Sequence, residues 1–423
     1  HFNNKSLNEI LSSIQISKQN NNTEKTYSLY LDYLDKLKFE YFFSKKFTKK
    51  EFLKNKSLVL LEIVRTGFNL FKYEEIIDYA NKGIEFSKDK NEILEYKLWL
   101  GKCYTQLNEP KKSNEYIYEC LRILYKANKN KIKLHPYYIT LKCEIATNAV
   151  QLGEFELAKN IHEECLNILD ERYPENHLDF AVHYLGLATI YSDFGNCNKS
   201  EELHQKALDI YNYNLGTNNL FYTRALNSMA INFSACGNAL KAKELFSEVL
   251  EINKILYGEE SEAYVHSLVN IGTNNLEFGE FISSIELLDK ALKLVLKISG
   301  DDNLLYAQIL SASASAYSKL GDLKKAIELV ESSLLITQNH FGENHPDCAI
   351  ALSNLAGYYY SLGIYSKAEQ NFHDALDIIE NNHGKYSDKY VTVNGNFSLL
   401  FTKSLKYKDA LEMNLESKII LDS

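Results

Sequence analysis

Apolar side chains along this chain recur at three- and four-residue spacing over long stretches, the period of an amphipathic helix with one buried face. The clearest instance lies between residues 344 and 386. There Leu352, Leu355, Ala356 and Tyr359 share one face of a helix expected over roughly Pro346–Ser361. Ala368, Phe372, Ala375, Leu376 and Ile379 share one face of a second, expected over roughly Tyr365–Asn381. Pro346 suits a first helical turn, where its missing N–H is no loss. Gly363 stands between the two patterns, and a glycine there lets the chain reverse through a left-handed residue without a Cβ penalty.

The same design returns every 42 residues. Gly153, Gly195, Gly237, Gly279, Gly321 and Gly363 are each 42 apart, and Gly216, Gly258, Gly300, Gly342 and Gly384 form a second ladder with the same step. Eleven of the 18 glycines therefore mark two positions of one unit. Other columns keep the step. Small residues stand five after each first-ladder glycine (Ala158, Ser200, Ala242, Ser284, Ala326, Ala368) and seven before it (Ala146, Ala188, Ala230, Gly272, Ala314, Ala356). Leucine stands thirteen after it (Leu166, Leu208, Leu250, Leu292, Leu334, Leu376). Small residues at fixed places let two helices approach, and leucine fills the seam. Each unit is then helix A, a tight turn, helix B and a loop. A lone pair of this size cannot bury its apolar faces, so the units must stack, and the chain is expected to be an all-α solenoid of antiparallel helix pairs.

The stretch FGENHPDCAIALSNLAGYYYSLGIYSKAEQNFHDALDII, residues 341–379, resembles the tetratricopeptide repeat, in the 42-residue form of kinesin light chains and many bacterial repeat proteins. The family's small residue in helix A (Ala356), the aromatic three later (Tyr359), the turn glycine (Gly363), and Tyr365, Ala368, Phe372, Ala375 and Leu376 are all present. The resemblance implies a right-handed superhelix. It covers about Leu134–Ser423, some seven units in 135–423. The last unit has Leu405 where the turn glycine belongs, although Tyr407 and Ala410 keep register. Upstream, residues 62–134 read as degenerate helix pairs: Gln106–Leu121 echoes Gln151–Leu166 at a spacing of 45. Residues 1–61 read as non-repeat helices.

Composition narrows the function classes. The net charge of −9 disfavours nucleic acid as a default partner, and 43 of the 47 basic residues are lysine, whereas base and phosphate forks favour arginine. The exception is Lys36–Lys56, with eight lysines and two glutamates interleaved with aromatics, a local +6 suited to RNA or an acidic partner, or else the solvated face of a helix pair. No run of 18 apolar residues suggests a membrane span. Seven scattered cysteines with no C-x-x-C pair fit reduced, buried thiols in a cytoplasmic protein. No phosphate loop, dinucleotide fingerprint, zinc-protease or nucleophile-elbow motif is present, so no cofactor, metal or catalytic residue is expected. His162 and Cys165 fall on packing columns and are expected in the core. His340 and His345 flank a loop glycine and read as helix-end residues.

The resemblance also implies where a ligand sits, on the concave face lined by helix A. The family's second helix-A position falls on Arg224, His266 and Gln308. The fifth and sixth fall on Asn227, Asn270, Ser311, Asn354 and Asn396, and the ninth on Thr189, Thr273 and Ser315. An amide both donates and accepts, so a row of asparagines can hold an extended peptide backbone. The expectation is a non-enzymatic scaffold for a protein or peptide partner. The alternative is a regulatory portion of, or partner to, an effector enzyme such as a bacterial CHAT caspase-like protease, in cis or in trans.

Overall fold

The expected helices form because each carries one apolar face, a start signal and a stop signal. The structure, a computed structural model, describes residues 6–19, 23–42, 44, 46–70, 72–383, 385, 388–403 and 407–422. Its first ten helices are α1 (Leu7–Gln19), α2 (Thr23–Phe42), α3 (Lys49–Phe68), α4 (Tyr73–Phe86), α5 (Lys90–Gln106), α6 (Pro110–Asn128), α7 (Pro136–Gln151), α8 (Phe155–Asp170), α9 (Leu178–Asp193) and α10 (Cys197–Leu215). There follow α11 (Leu220–Ala235), α12 (Ala239–Tyr257), α13 (Glu262–Glu277), α14 (Phe281–Ser299), α15 (Leu304–Lys319), α16 (Leu323–Phe341), α17 (Pro346–Ser361), α18 (Tyr365–His383), α19 (Asp388–Lys403) and α20 (Tyr407–Asp422). A short 3₁₀ turn, Lys129–Leu134, joins α6 to α7, and no strand occurs among the described residues.

The turn schedule follows the glycine ladders. Ten of the eleven ladder glycines are described, and all ten have positive φ, between 71° and 89°. Gly384 and Leu405 lie outside the described residues. In the degenerate pair α5–α6 the turn position is held by Asn108 at φ 58°, asparagine being among the few side chains that tolerate this region. Helix starts are written in another column. His135, His177, Asn219, Ser261, Asn303 and His345 each accept a backbone N–H at the start of α7, α9, α11, α13, α15 and α17. His340 instead pairs with Asp302, 3.2 Å away.

The chain divides into two compact units, His1–Ile210 and Tyr211–Ser423. In the first, α1 packs on α2 and α2 on α3, and α3 pairs with α4, so a helix pair already begins at Lys49; the boundary expected at residue 61 falls inside α3. Pairs α5–α6 and α7–α8 continue the array. In the second unit the pairs are α11–α12, α13–α14, α15–α16, α17–α18 and α19–α20.

Within a pair the small residues act as expected. Ala158, Ala242, Ala326 and Ala368 on B helices and Ala188, Ala230, Ala314 and Ala356 on A helices are fully buried. The contact is close enough for hydrogen bonding to the neighbouring backbone. Ser200 donates to the Ala188 carbonyl and Ser284 to the Gly272 carbonyl, each at 2.7 Å. Large side chains close the layers, as where Phe372 of α18 stacks on Phe397 of α19 at 5.1 Å.

Successive A helices also touch: α3 with α5, α5 with α7 and α7 with α9 in the first unit, α13 with α15 and α17 with α19 in the second. Among the described residues no two B helices pack to the same degree. Crowding on one side and splay on the other make each unit curve with its A helices on the inner face.

Five thiols are free, four of them buried, and burial pushes Cys103, Cys120 and Cys165 up to about 12.

Two glycines separate backbone strain from packing. Gly279 has φ 87° with open space around its absent Cβ, whereas Gly357 lies within α17, also with open space. Gly279→Ala is expected to lower stability by about 1–2 kcal/mol, and Gly357→Ala to raise it by about 0.5–1 kcal/mol. Urea midpoints of the two variants check this.

Candidate ligand-binding face

The inner face of the second unit is built from one stripe of each A helix. Arg224 on α11, His266 on α13 and Gln308 on α15 occupy equivalent positions and are all exposed. None makes a side-chain hydrogen bond among the described residues. His266 is wetted yet surrounded by neighbouring helices, and desolvation holds its imidazole below the ordinary histidine range. At neutral pH it is therefore uncharged, with one ring nitrogen to donate and one to accept.

The asparagines are only partly free. Asn270 on α13 donates from Nδ2 to Oδ1 of Asn227 on α11 at 2.7 Å, tying adjacent A helices together. Asn354 on α17 and Ser311 on α15 are half-buried, Asn396 on α19 is exposed, and none of the three side chains bonds within the chain among the described residues. The hydroxyl column is spent on its own helices. Thr273 donates to the Val269 and Asn270 carbonyls at 3.0 Å, Thr189 to Leu185 at 3.1 Å and Ser315 to Ser311 at 3.2 Å. The structure thus sorts the expected row into seam residues (Asn227, Asn270), back-bonded hydroxyls (Thr189, Thr273, Ser315) and unengaged polar groups (Arg224, His266, Gln308, Ser311, Asn354, Asn396).

Sequence reasoning missed two features of this face. One is a deeper polar seam: Ser234 Oγ of α11 lies 3.0 Å from Asn274 Oδ1 and 2.7 Å from Glu277 Oε2 of α13. Likewise the half-buried Tyr358 of α17 faces Ser315 and Ser318 of α15, and burial pushes its phenol up. The signal was a serine column, Ser192, Ser234 and Ser318, at multiples of 42. The other is apolar. Ile350 repeats the position of Gln308, and Ile231 and Leu399 repeat that of Thr273; all three are more than half exposed, at 55%, 52% and 60%. Polar anchors and apolar patches alternate along the face, which suits a peptide with mixed side chains.

His162 and Cys165 are buried, as their columns required. The partner was not legible: His162 Nδ1 lies 3.0 Å from Nδ1 of His183 on α9, both rings being shut away from water. Gly186 of α9 leaves room for the His162 ring. Desolvation pushes His162 down to about 4 and His183 to about 3, so both are neutral and one donates to the other. No group of three metal-ligating side chains occurs among the described residues, and no described helix is long and apolar enough to cross a membrane.

Known proteins place this architecture. The tetratricopeptide repeat model matches residues 137–212, 221–297, 276–338 and 305–380, more than half of the chain. The chain belongs to the tetratricopeptide repeat family. Among solved structures it is similar to a Rap protein complexed with Competence and Sporulation Factor, at 14% identity and TM-score 0.54, over 88% of this chain and 98% of the other. It is similar to the apo quorum sensor NprR from B. thuringiensis, at 13% identity and TM-score 0.53, over 89% and 99%. Repeats of a putative kinesin light chain from Podosopora anserina match at 20% identity and TM-score 0.40, over 47% and 93%. No curated protein matches the chain.

The histidine pair sets a pH dependence. An unfolded histidine takes up its proton near pH 6.5, whereas these two resist it until far lower pH, so the stability they carry is present above about pH 6.5 and is lost as pH falls. Later repeats place Phe246 and Ser267 at the equivalent positions. The melting temperature is expected to drop between pH 6.5 and pH 5, and the drop is expected to shrink in the His162→Phe/His183→Ser variant.

Proposed function

We propose that this protein is a non-catalytic binding module that holds an extended peptide or protein segment against the A-helix face of residues 211–423. The observation that carries the reading is the row of unengaged polar groups, Arg224, His266, Gln308 and Asn354, at one stripe of four successive A helices. Hydrogen-bonding groups left without partners on a concave surface are satisfied by water or by a ligand. A ligand that matches their spacing gains them without the scaffold having to reorganise. The Asn227–Asn270 bond and the Ser234 seam keep the A helices in register, which preorganises the row. A Rap protein of similar fold binds Competence and Sporulation Factor, and a similarly folded NprR is a quorum sensor; both support a ligand-receiving role for this fold.

The seam and the row respond differently to substitution. Asn270→Ala is expected to cost about 1 kcal/mol, the usual worth of a hydrogen bond, because Asn227 loses its partner. A Gln308→Ala/Asn354→Leu variant is expected to melt like the parent. In a selection from a random peptide library on the intact chain, the enriched peptides should lose at least about tenfold in affinity for the double variant, as for two lost interfacial hydrogen bonds. Peptides that bind both forms equally would remove the face from the account.

A further inference from the structure

A second surface lies in the first unit. The start of α3 and the turn between α4 and α5 enclose a cavity of about 670 Å³ lined by Lys49, Lys50, Leu53, Lys54, Ser57, Phe86, Ser87, Lys88, Asp89 and Glu92. Its volume falls within the range of about 300–1,000 Å³ usual for ligand sites. Leu53 and Phe86 are half-buried and supply an apolar floor, while Lys49, Lys50, Lys54 and Lys88 are exposed around it.

The two carboxylates in the wall do not neutralise these lysines. Glu92 accepts from Ser57 at 2.7 Å and from Ser87 at 2.6 Å, and Asp89 caps α5 by accepting from the Asn91 N–H at 2.8 Å. Among the described residues none of the four lining ammonium groups forms an ion pair. The positive field extends to the rim. Lys56 stands 3.4 Å over the Phe86 ring, and burial, then the charges of Lys38 and Lys82, hold its ammonium below the ordinary range. Helix stability does not explain the arrangement. The start of α3 is already capped by the reciprocal Thr48–Glu51 bonds, and lysines in a first turn oppose the helix dipole.

We propose that this cavity binds an acidic peptide segment that seats an aromatic or large aliphatic side chain on Leu53 and Phe86, with its carboxylates on Lys49, Lys50, Lys54 and Lys88. A nucleic acid fits less well. Lysine presents a point charge without the arginine fork, Glu92 and Asp89 face the opening, and the chain outside Lys36–Lys56 carries −15, which repels a long phosphate backbone.

The test is fluorescence anisotropy with the fluorescein-labelled probe Glu-Asp-Asp-Phe-Asp-Glu-Leu-Glu and the full chain. Binding is expected to weaken about tenfold between 50 and 300 mM salt, as a surface charge contact does. It is expected to weaken at least about tenfold in a Lys50→Glu/Lys54→Glu/Lys88→Glu variant, whose sites are exposed and whose melting should be unchanged. Replacing the probe's Phe and Leu by Ser should cost a further factor of about ten, the worth of a buried apolar anchor. The Gln308→Ala/Asn354→Leu variant should bind the probe as the parent does, which separates this site from the A-helix face. Absence of binding, indifference to the lysine reversals or to the Ser-substituted probe, or tighter binding of a 12-nucleotide oligouridine would each overturn the proposal.

Discussion

Everything in this molecule depends on one packing constraint: no helix pair buries its own apolar face, so each must be covered by the next. That requires helices to meet at backbone distance, and the alanine, serine and glycine columns make the approach possible. Ser200 and Ser284 show how close it is, since each reaches a main-chain carbonyl of the facing helix. It also requires the chain to reverse sharply at a fixed interval, which the positive-φ glycines supply. The 42-residue step is the length of one such cycle, and the stability of each cycle is shared with its neighbours.

The A-helix face is a by-product of the same constraint. Because A helices crowd and B helices splay, stripes of neighbouring A helices are brought side by side within each unit. The seams between A helices are polar: an asparagine pair, and a serine beside an asparagine and a glutamate. Such seams fix register through directional bonds and still leave the surface wettable. The groups that remain unengaged lie between them, next to Ile350, Ile231 and Leu399. The first unit departs from this scheme at its start, where α1 packs on α2 and α2 on α3, and a lysine-ringed cavity opens beside the α4–α5 turn.

Repetition made the architecture legible. The turn glycines, the small-residue columns and the core positions of Leu355, Phe372 and Leu376 could be placed by counting, because each occurs six times under the same physical demand. What occurs once could not. The His162–His183 contact joins two columns that are both histidine only here: His204 repeats the first, but Ala225 stands at the second. The Asn227–Asn270 bond joins neighbouring columns across 43 residues, so a row expected to be free proved half structural. Asn108 at a glycine position was visible only as an echo with the wrong spacing, and of the α3–α4 pair only Leu70–Ile84 echoes the later units. The basic aromatic segment was visible by charge. The cavity beside it depends on Phe86 and Lys88, some thirty residues further on, which only the fold brings near.

The central claim is that ligands meet the A-helix face of residues 211–423. Site-specific photo-crosslinking tests it most directly. A benzophenone amino acid is placed at Gln308, on the inner stripe of α15, or at Leu335, which is 59% exposed on the B helix α16. With a peptide selected on the intact chain, the adduct should form at position 308 and not at 335. Equal labelling at both, or labelling at 335 alone, would contradict the account.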